Sequence, residues 1–315
     1  MRKYLELARF DHYIKNLFIF PGWFFNILLS SQNSEFSKRI ILKEILTIQA
    51  VFHLMFAFIG ISLISSANYT INEWLDRNTD RYHPDKQGRR SVYGKLSPSI
   101  IAIQYCSFAT VGGLLLLFIN PQVFYLGLFL LIMGLMYNVK PIRTKDIAYL
   151  DVVSESVNNP IRLAVGWYSL VSSQVIPTSL LLSFMFAGIF LMSMKRYVEM
   201  QILGKEAHRY RKSFAKWTPE NLLTFAFGSS MLATLFVGIF LVRVNIEYIL
   251  STPLLVVLFC LYLNKSLHLE KVGYKPEKLF REKTLIALSL IFFLSLILLS
   301  FIDINLLGRI ITGHP

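Results

Sequence analysis

Apolar runs that recur along the whole chain, parted by short polar segments, constrain this sequence more than anything else in it. They fall near residues 16–31, 45–66, 100–118, 122–137, 157–173, 176–194, 222–242, 249–264 and 284–301. Most approach the roughly 20 residues that a helix needs to cross the bilayer core. Only helices and closed barrels satisfy every backbone group inside lipid, so the predicted fold is all-α and polytopic. About nine transmembrane helices are expected in a single domain over residues 1–315; the first, fourth and fifth runs are the weakest, and eight is the alternative count. With 54% hydrophobic and only 16% charged residues, the chain is too apolar for a soluble domain of this length.

The charge pattern orients the bundle. Most of the 32 lysines and arginines collect in the N-terminal segment and in every second loop thereafter. The positive-inside rule then places the N-terminus and the large basic loops in the cytoplasm and the C-terminus outside. The net charge of +13 is accounted for by topology, leaving no basic soluble domain for nucleic acid. The opening MRKYLELARFDHYIKNLFIF carries an aspartate and scattered charges, so its apolar run is expected to be a retained helix, not a cleaved signal. Cys106 and Cys260 lie in apolar runs and are expected to be core thiols.

The chemistry is concentrated between Asn68 and Arg90. Asn72, Asp76 and Asp80 recur every fourth residue, which on a helix lines them along one face. Carboxylates that close repel one another unless a cation lies between them, and Mg²⁺ held by one or two carboxylates plus substrate phosphates is a common solution. Lys86, Arg89 and Arg90 follow on a loop suited to the same phosphates. Ahead of span one, Arg9, His12, Lys15 and Asn16 are expected to face a cytoplasmic polar cavity. Tyr137, Lys145, Asp146 and Asp151 follow span four; Asp146 and Asp151 are candidates for a second pair of metal ligands.

Span five carries Glu155, Asn158, Asn159 and Arg162 where a lipid-facing helix would hold leucine or valine. An arginine in the bilayer costs at least about 3 kcal/mol unless it meets an anion or water, so this face is expected to look inward. A buried Glu155–Arg162 ion pair is the structural alternative to a substrate role. Lys195 and Arg196 end span six, with Lys195 and Glu199 spaced as an i,i+4 pair, and a basic loop runs from 195 to 219. No dinucleotide fingerprint, P-loop or Cys/His metal spacing occurs anywhere in the chain.

These residues resemble the UbiA superfamily of intramembrane prenyltransferases. Asn72, Asp76 and Asp80 match its first aspartate motif, with Glu73 where aspartate is commoner, and YNVKPIRTK is similar to the segment before its second polar motif. Within the superfamily, RFDHYIKNLFIFPG, DRYHPDKQGRR, DVVSESVNNPIRLAVG and MKRYVE resemble the polyprenyl-phosphate phosphoribosyltransferase branch. The resemblance implies a bundle around a cytoplasm-facing polar cavity, in a bacterial or archaeal cytoplasmic membrane, with Mg²⁺ as cofactor. Its functional segments would be 68–99, 138–162 and 195–219.

The leading expectation is Mg²⁺-dependent transfer of 5-phosphoribosyl from phosphoribosyl diphosphate to a membrane polyprenyl phosphate. Asn72, Asp76, Asp80, Asp146 and Asp151 would hold the metal, and Lys86, Arg90 and Lys145 the donor phosphates. Lys15, Arg162, Lys195 and Arg196 would meet the acceptor, with Asn16, Tyr137, Glu155, Asn158 and Asn159 shaping the pocket. One alternative is transfer of a prenyl group from a prenyl diphosphate to a small aromatic or other acceptor; another is a non-enzymatic lipid-binding or flippase protein.

Overall fold

The computed structural model describes residues 2–31, 47–170, 174–270, 273 and 282–304. They form an all-α polytopic membrane protein. Ten helices carry the architecture: α1 (Ile19–Ser31), α2 (Ile48–Leu75), α3 (Pro98–Ile119), α4 (Pro121–Asn138), α5 (Leu150–Ser156), α6 (Asn158–Tyr168), α7 (Thr178–Leu203), α8 (Pro219–Val244), α9 (Thr252–Leu267) and α10 (Lys283–Leu299). Six helical segments among the described residues are long and apolar enough to cross a membrane, and α10 is a shorter apolar helix. Several helices start on clear capping signals. Asn120 and Thr218 accept hydrogen bonds from the third backbone N–H of α4 and α8, and proline occupies the first position of each.

The run expected as one fifth span is broken at Val157 into α5 and α6. Pro160 has no N–H to offer the Ser156 carbonyl, so the ladder is interrupted one turn before it. The break re-aims α6 toward α1, and the two cross at glycines. A Cβ on Gly22 would lie 1.9 Å from the Leu163 carbonyl oxygen, and one on Gly166 would lie 1.9 Å from that of Ile19. Ahead of the crossing, the segment expected as an interfacial lead-in winds inward through short 3₁₀ turns, burying Leu7, His12 and Asn16.

Buried apolar side chains join the elements in two main layers. Ile61, Ile64, Leu116, Val123 and Val165 pack α2, α3, α4 and α6 together, while Phe25, Trp167, Leu180, Phe240 and Phe292 join α1, α6, α7, α8 and α10. The opposite faces carry exposed apolar groups such as Leu114, Phe118, Phe227 and Leu298, as lipid contact requires. Cys106 and Cys260 belong to that exposed set. The expectation that they are core thiols fails for a physical reason: in a membrane helix an apolar neighbourhood in sequence marks lipid as readily as protein interior.

Candidate active site

Helix α2 ends at Leu75, yet its register continues. Asp76 N–H donates to the Asn72 carbonyl at 3.0 Å and Asp80 N–H to the Asp76 carbonyl at 2.8 Å, so the three side chains keep the four-residue spacing. Asp76 is 8% and Asp80 2% exposed. The charge of Asp76 is met from a loop distant in sequence, and that of Asp80 from the loop that follows it. Asp76 Oδ1 accepts from Lys145 at 2.6 Å and Arg143 at 3.0 Å, and Asp80 accepts from Lys86 at 3.1 Å. Lys145 also donates to Asn72 Oδ1 at 3.1 Å and Asn138 Oδ1 at 2.8 Å, tying α2, α4 and the following loop together.

Burial alone would raise the Asp76 carboxyl, but the Lys145 ammonium holds it below the ordinary value. The same burial lowers Lys145 to about 8 despite its carboxylate partner. Asp146 stays at the rim, where Arg143 reaches it at 3.2 Å. Arg90 opens a short turn after the Lys86 loop, and its side chain lies outside the described residues, as does most of the loop between α9 and α10.

The sequence misses part of what closes the site. Glu73, one residue past Asn72, accepts from Arg9 at 3.0 Å, from Arg89 at 2.5 Å and from Ser91 at 3.1 Å, so it fastens the N-terminal segment to the loop after Asp80. Lys86 donates to Tyr210 Oη at 2.7 Å, which brings the 195–219 loop over the same loop. Nothing in local spacing announces these pairs.

His83 is buried in this loop and accepts from the Asp85 N–H through Nδ1 at 3.2 Å; burial lowers its pKa from 6.5 to about 4. As pH falls below 6.5 the unfolded chain takes up that proton while the folded chain does not, so stability is lost from there down to about 4. Thermal unfolding in detergent from pH 7.5 to 4 is therefore expected to show a falling midpoint, and His83→Gln to flatten part of that slope. An unchanged slope in the variant would remove His83 from the account.

Asp151 is seated differently from its expected place among the metal ligands. It is fully buried, and its oxygens accept from Arg196 at 3.1 Å, Ser213 at 3.0 Å and Trp217 at 3.1 Å. These three protein donors tie it to the 195–219 segment, which it anchors. Arg196 is the centre of that network, donating also to Glu199 at 2.8 Å, Glu155 at 3.0 Å and Tyr137 Oη at 3.1 Å. The ion pair at the end of α7 is thus Arg196–Glu199, three residues apart, in place of the expected Lys195–Glu199. Lys195 instead lies 3.9 Å from Glu155. A Glu155–Arg162 ion pair does not form among the described residues, because Glu155 turns to Arg196 and Arg162 to Asn16 at 2.8 Å.

Three cavities lie around these groups. An outer polar one of about 360 Å³ is lined by Asp76, Asp80, Arg143, Lys145, Asp146 and Arg211. An inner chamber of about 150 Å³ is lined by Lys15, Asn68, Asn72, Tyr137, Glu155, Asn158, Asn159 and Arg162. Asn72 and Asp76, one turn apart, therefore face different spaces. An apolar cavity of about 300 Å³ lies between α1, α7, α9 and α10 and shares Phe18, Asn159, Gly188 and Leu191 with the inner chamber.

Among the described residues no three acidic, histidine or cysteine side chains form a metal cluster. One or two carboxylates completed by substrate phosphates do not require one. The arrangement can hold a charged head at the acidic end of α2 and an apolar tail beyond Phe18.

The sequence profile of the UbiA prenyltransferase family matches residues 45–297. No curated protein is significantly similar to the chain. Among solved structures, a UbiA homolog from Archaeoglobus fulgidus bound to GPP and Mg²⁺ superposes with a TM-score of 0.65 at 18% identity, covering 95% of this chain and 100% of that one. A UbiA homolog from Aeropyrum pernix K1 gives 0.63 at 14% identity, over 93% and 98%. A digeranylgeranylglyceryl phosphate synthase gives 0.61 at 18% identity, over 94% and 97%.

Proposed function

Because the chain belongs to the UbiA prenyltransferase family of membrane transferases, we propose that it transfers a prenyl group from a prenyl diphosphate to a second, smaller substrate and releases diphosphate. One observation carries this reading: the apolar cavity runs through Phe18, Asn159, Gly188 and Leu191 into the polar chamber below the acidic end of α2. A single amphiphile with an anionic head and a hydrocarbon tail fits that course. The GPP bound by the Archaeoglobus relative supports a prenyl donor over the phosphoribosyl diphosphate favoured by the sequence. The concentration of lysine and arginine at this end of the bundle supports a cytoplasmic site.

Asp76 and Asp80 face the outer cavity as a pair of carboxylates suited to Mg²⁺, with the Asn72 side-chain oxygen joined to Asp76 through Lys145. Asp76 meets Lys145 and Arg143 through Oδ1. When bound there, the ion supplies Lewis-acid stabilisation of the departing diphosphate. Lys86, Arg143 and Lys145 stand around the same carboxylates and oppose the charge that grows on the leaving oxygen. The bond between C1 and the diphosphate oxygen breaks, with its electron pair going to diphosphate. The acceptor atom supplies a pair to C1, and any proton it carries passes to water. Tyr69 and Phe18 line the inner chamber, and aromatic rings there would suit the positive charge that develops on an allyl group.

The test supplies purified protein with Mg²⁺ and labelled geranyl diphosphate, then with labelled phosphoribosyl diphosphate and a polyprenyl phosphate. Mg²⁺-dependent release of diphosphate from the first donor, with label moving into an acceptor, is the expected result. Label reaching the lipid only from phosphoribosyl diphosphate would overturn the proposal in favour of phosphoribosyl transfer.

A further inference from the structure

Arg162 is a buried cation that the leaving-group chemistry does not use. It is 6% exposed, and its Nε donates to Asn16 Oδ1 at 2.8 Å. Asn16 is itself held, donating to Ser62 Oγ at 2.9 Å and accepting from Ser65 at 3.4 Å, so the carbonyl it offers Arg162 is fixed in place. No carboxylate pairs with Arg162 among the described residues. An arginine has five N–H donors in a planar fork. With Nε engaged, the two terminal nitrogens remain for the inner chamber that the residue lines.

Two further groups on the same wall have an atom without a partner among the described residues. Asn68 Nδ2 donates to the Leu130 carbonyl at 2.9 Å, which orients the amide and leaves its buried Oδ1 unpaired; Asn158 Oδ1 is likewise buried and unpaired. Both asparagines line the chamber with Arg162. Buried polar atoms are rarely left in this state unless something else completes them. The chamber therefore offers a forked cation and two hydrogen-bond acceptors.

We propose that Arg162, braced by Asn16, anchors an anionic group of the acceptor substrate, a carboxylate or a phosphate, while the Asn68 and Asn158 carbonyls accept hydrogen bonds from its hydroxyl or amine. This rests on the prenyl-transfer reading. The diphosphate belongs to the outer cavity around Asp76 and Asp80, which does not include Arg162. The prenyl tail carries no charge. Glu155, a carboxylate on the same chamber, is turned to Arg196, so the charge complementary to Arg162 is assigned to the second substrate. A planar guanidinium suits either oxyanion through paired N–H bonds, and the probes below separate the two.

The test uses the detergent-purified protein with Mg²⁺ and inorganic diphosphate at saturation, and follows the thermal midpoint during titration with benzoate, phenyl phosphate or neutral methyl benzoate. At least one anion is expected to raise the midpoint and methyl benzoate to leave it unchanged; the stronger anion identifies the headgroup. Arg162→Gln is expected to weaken that response by about ten- to one-hundred-fold. Asn16→Asp provides a second route, because it gives Arg162 an internal carboxylate and should quench anion binding without emptying the space. The shift caused by Mg²⁺ and diphosphate should survive in both variants. An equal response to methyl benzoate, no response to either anion, or an unaltered anion response in the variants would overturn the proposal. Loss of the diphosphate shift in Arg162→Gln would do so too, by assigning the residue to the leaving group. Failure of prenyl transfer itself is read separately, from the labelled-donor assay.

Discussion

Asp76→Asn is expected to reduce Mg²⁺-dependent turnover by about 10³-fold or more while the protein still folds. The substitution keeps the shape and an oxygen that can accept from Lys145, so the buried ammonium retains Asn72 and Asn138 as well. What disappears is the negative charge that, in the proposed reaction, would hold the cation and, through it, the leaving diphosphate. Release of diphosphate from a labelled donor measures the loss, and the elution profile and thermal midpoint in detergent report the fold. Asp80→Asn should act in the same direction, because its carboxylate is bound by Lys86 on the loop that covers it. Turnover near the wild-type rate in Asp76→Asn would remove the metal assignment.

Arg196→Met is expected to have the largest effect on stability, a loss of about 3–5 kcal/mol. The guanidinium is fully buried and answers three carboxylates at once, those of Asp151, Glu155 and Glu199, together with the Tyr137 hydroxyl. Truncating it leaves those acids with less counter-charge in a region where water cannot replace it. Arg196→Lys should recover only part of the loss, since one ammonium cannot span three partners. Adding Asp151→Asn to Arg196→Met should restore some of it by removing a charge left unpaired. The yield of monodisperse protein and its thermal midpoint test the series, and an unchanged midpoint in Arg196→Met would deny the network a structural role.

The contrast between these two sites explains what could be read from the chain. The spacing of Asn72, Asp76 and Asp80 was legible because helical spacing is local, and the nearness of Lys86 and Lys145 to the two aspartates because they lie in short basic runs beside an acidic cluster. Asp151 was not, because the partners that decide its role, Ser213 and Trp217, are 62 and 66 positions away. Helical arithmetic likewise suggested a Glu155–Arg162 pair, but tertiary packing gave each residue a partner from another helix, Arg196 and Asn16. The apolar runs indicated helices without saying which face meets lipid, hence the misjudged cysteines. The choice of donor was beyond local pattern altogether, since phosphoribosyl and prenyl diphosphates share a leaving group and differ in what lies behind it.

The glycine crossing of α1 and α6 bears on how this molecule can breathe. Each helix seats a carbonyl oxygen of the other in a notch with no room for a methyl group, so neither can slide along its neighbour without losing both contacts. That half of the bundle works as a keel, carrying Asn16 and Arg162 in fixed relation through the catalytic cycle. The wall formed by α9 and α10 meets the apolar cavity through side chains such as Leu258, Phe259 and Phe293, which can change rotamer or part. Whatever yielding the proposed prenyl tail demands falls to that pliable flank.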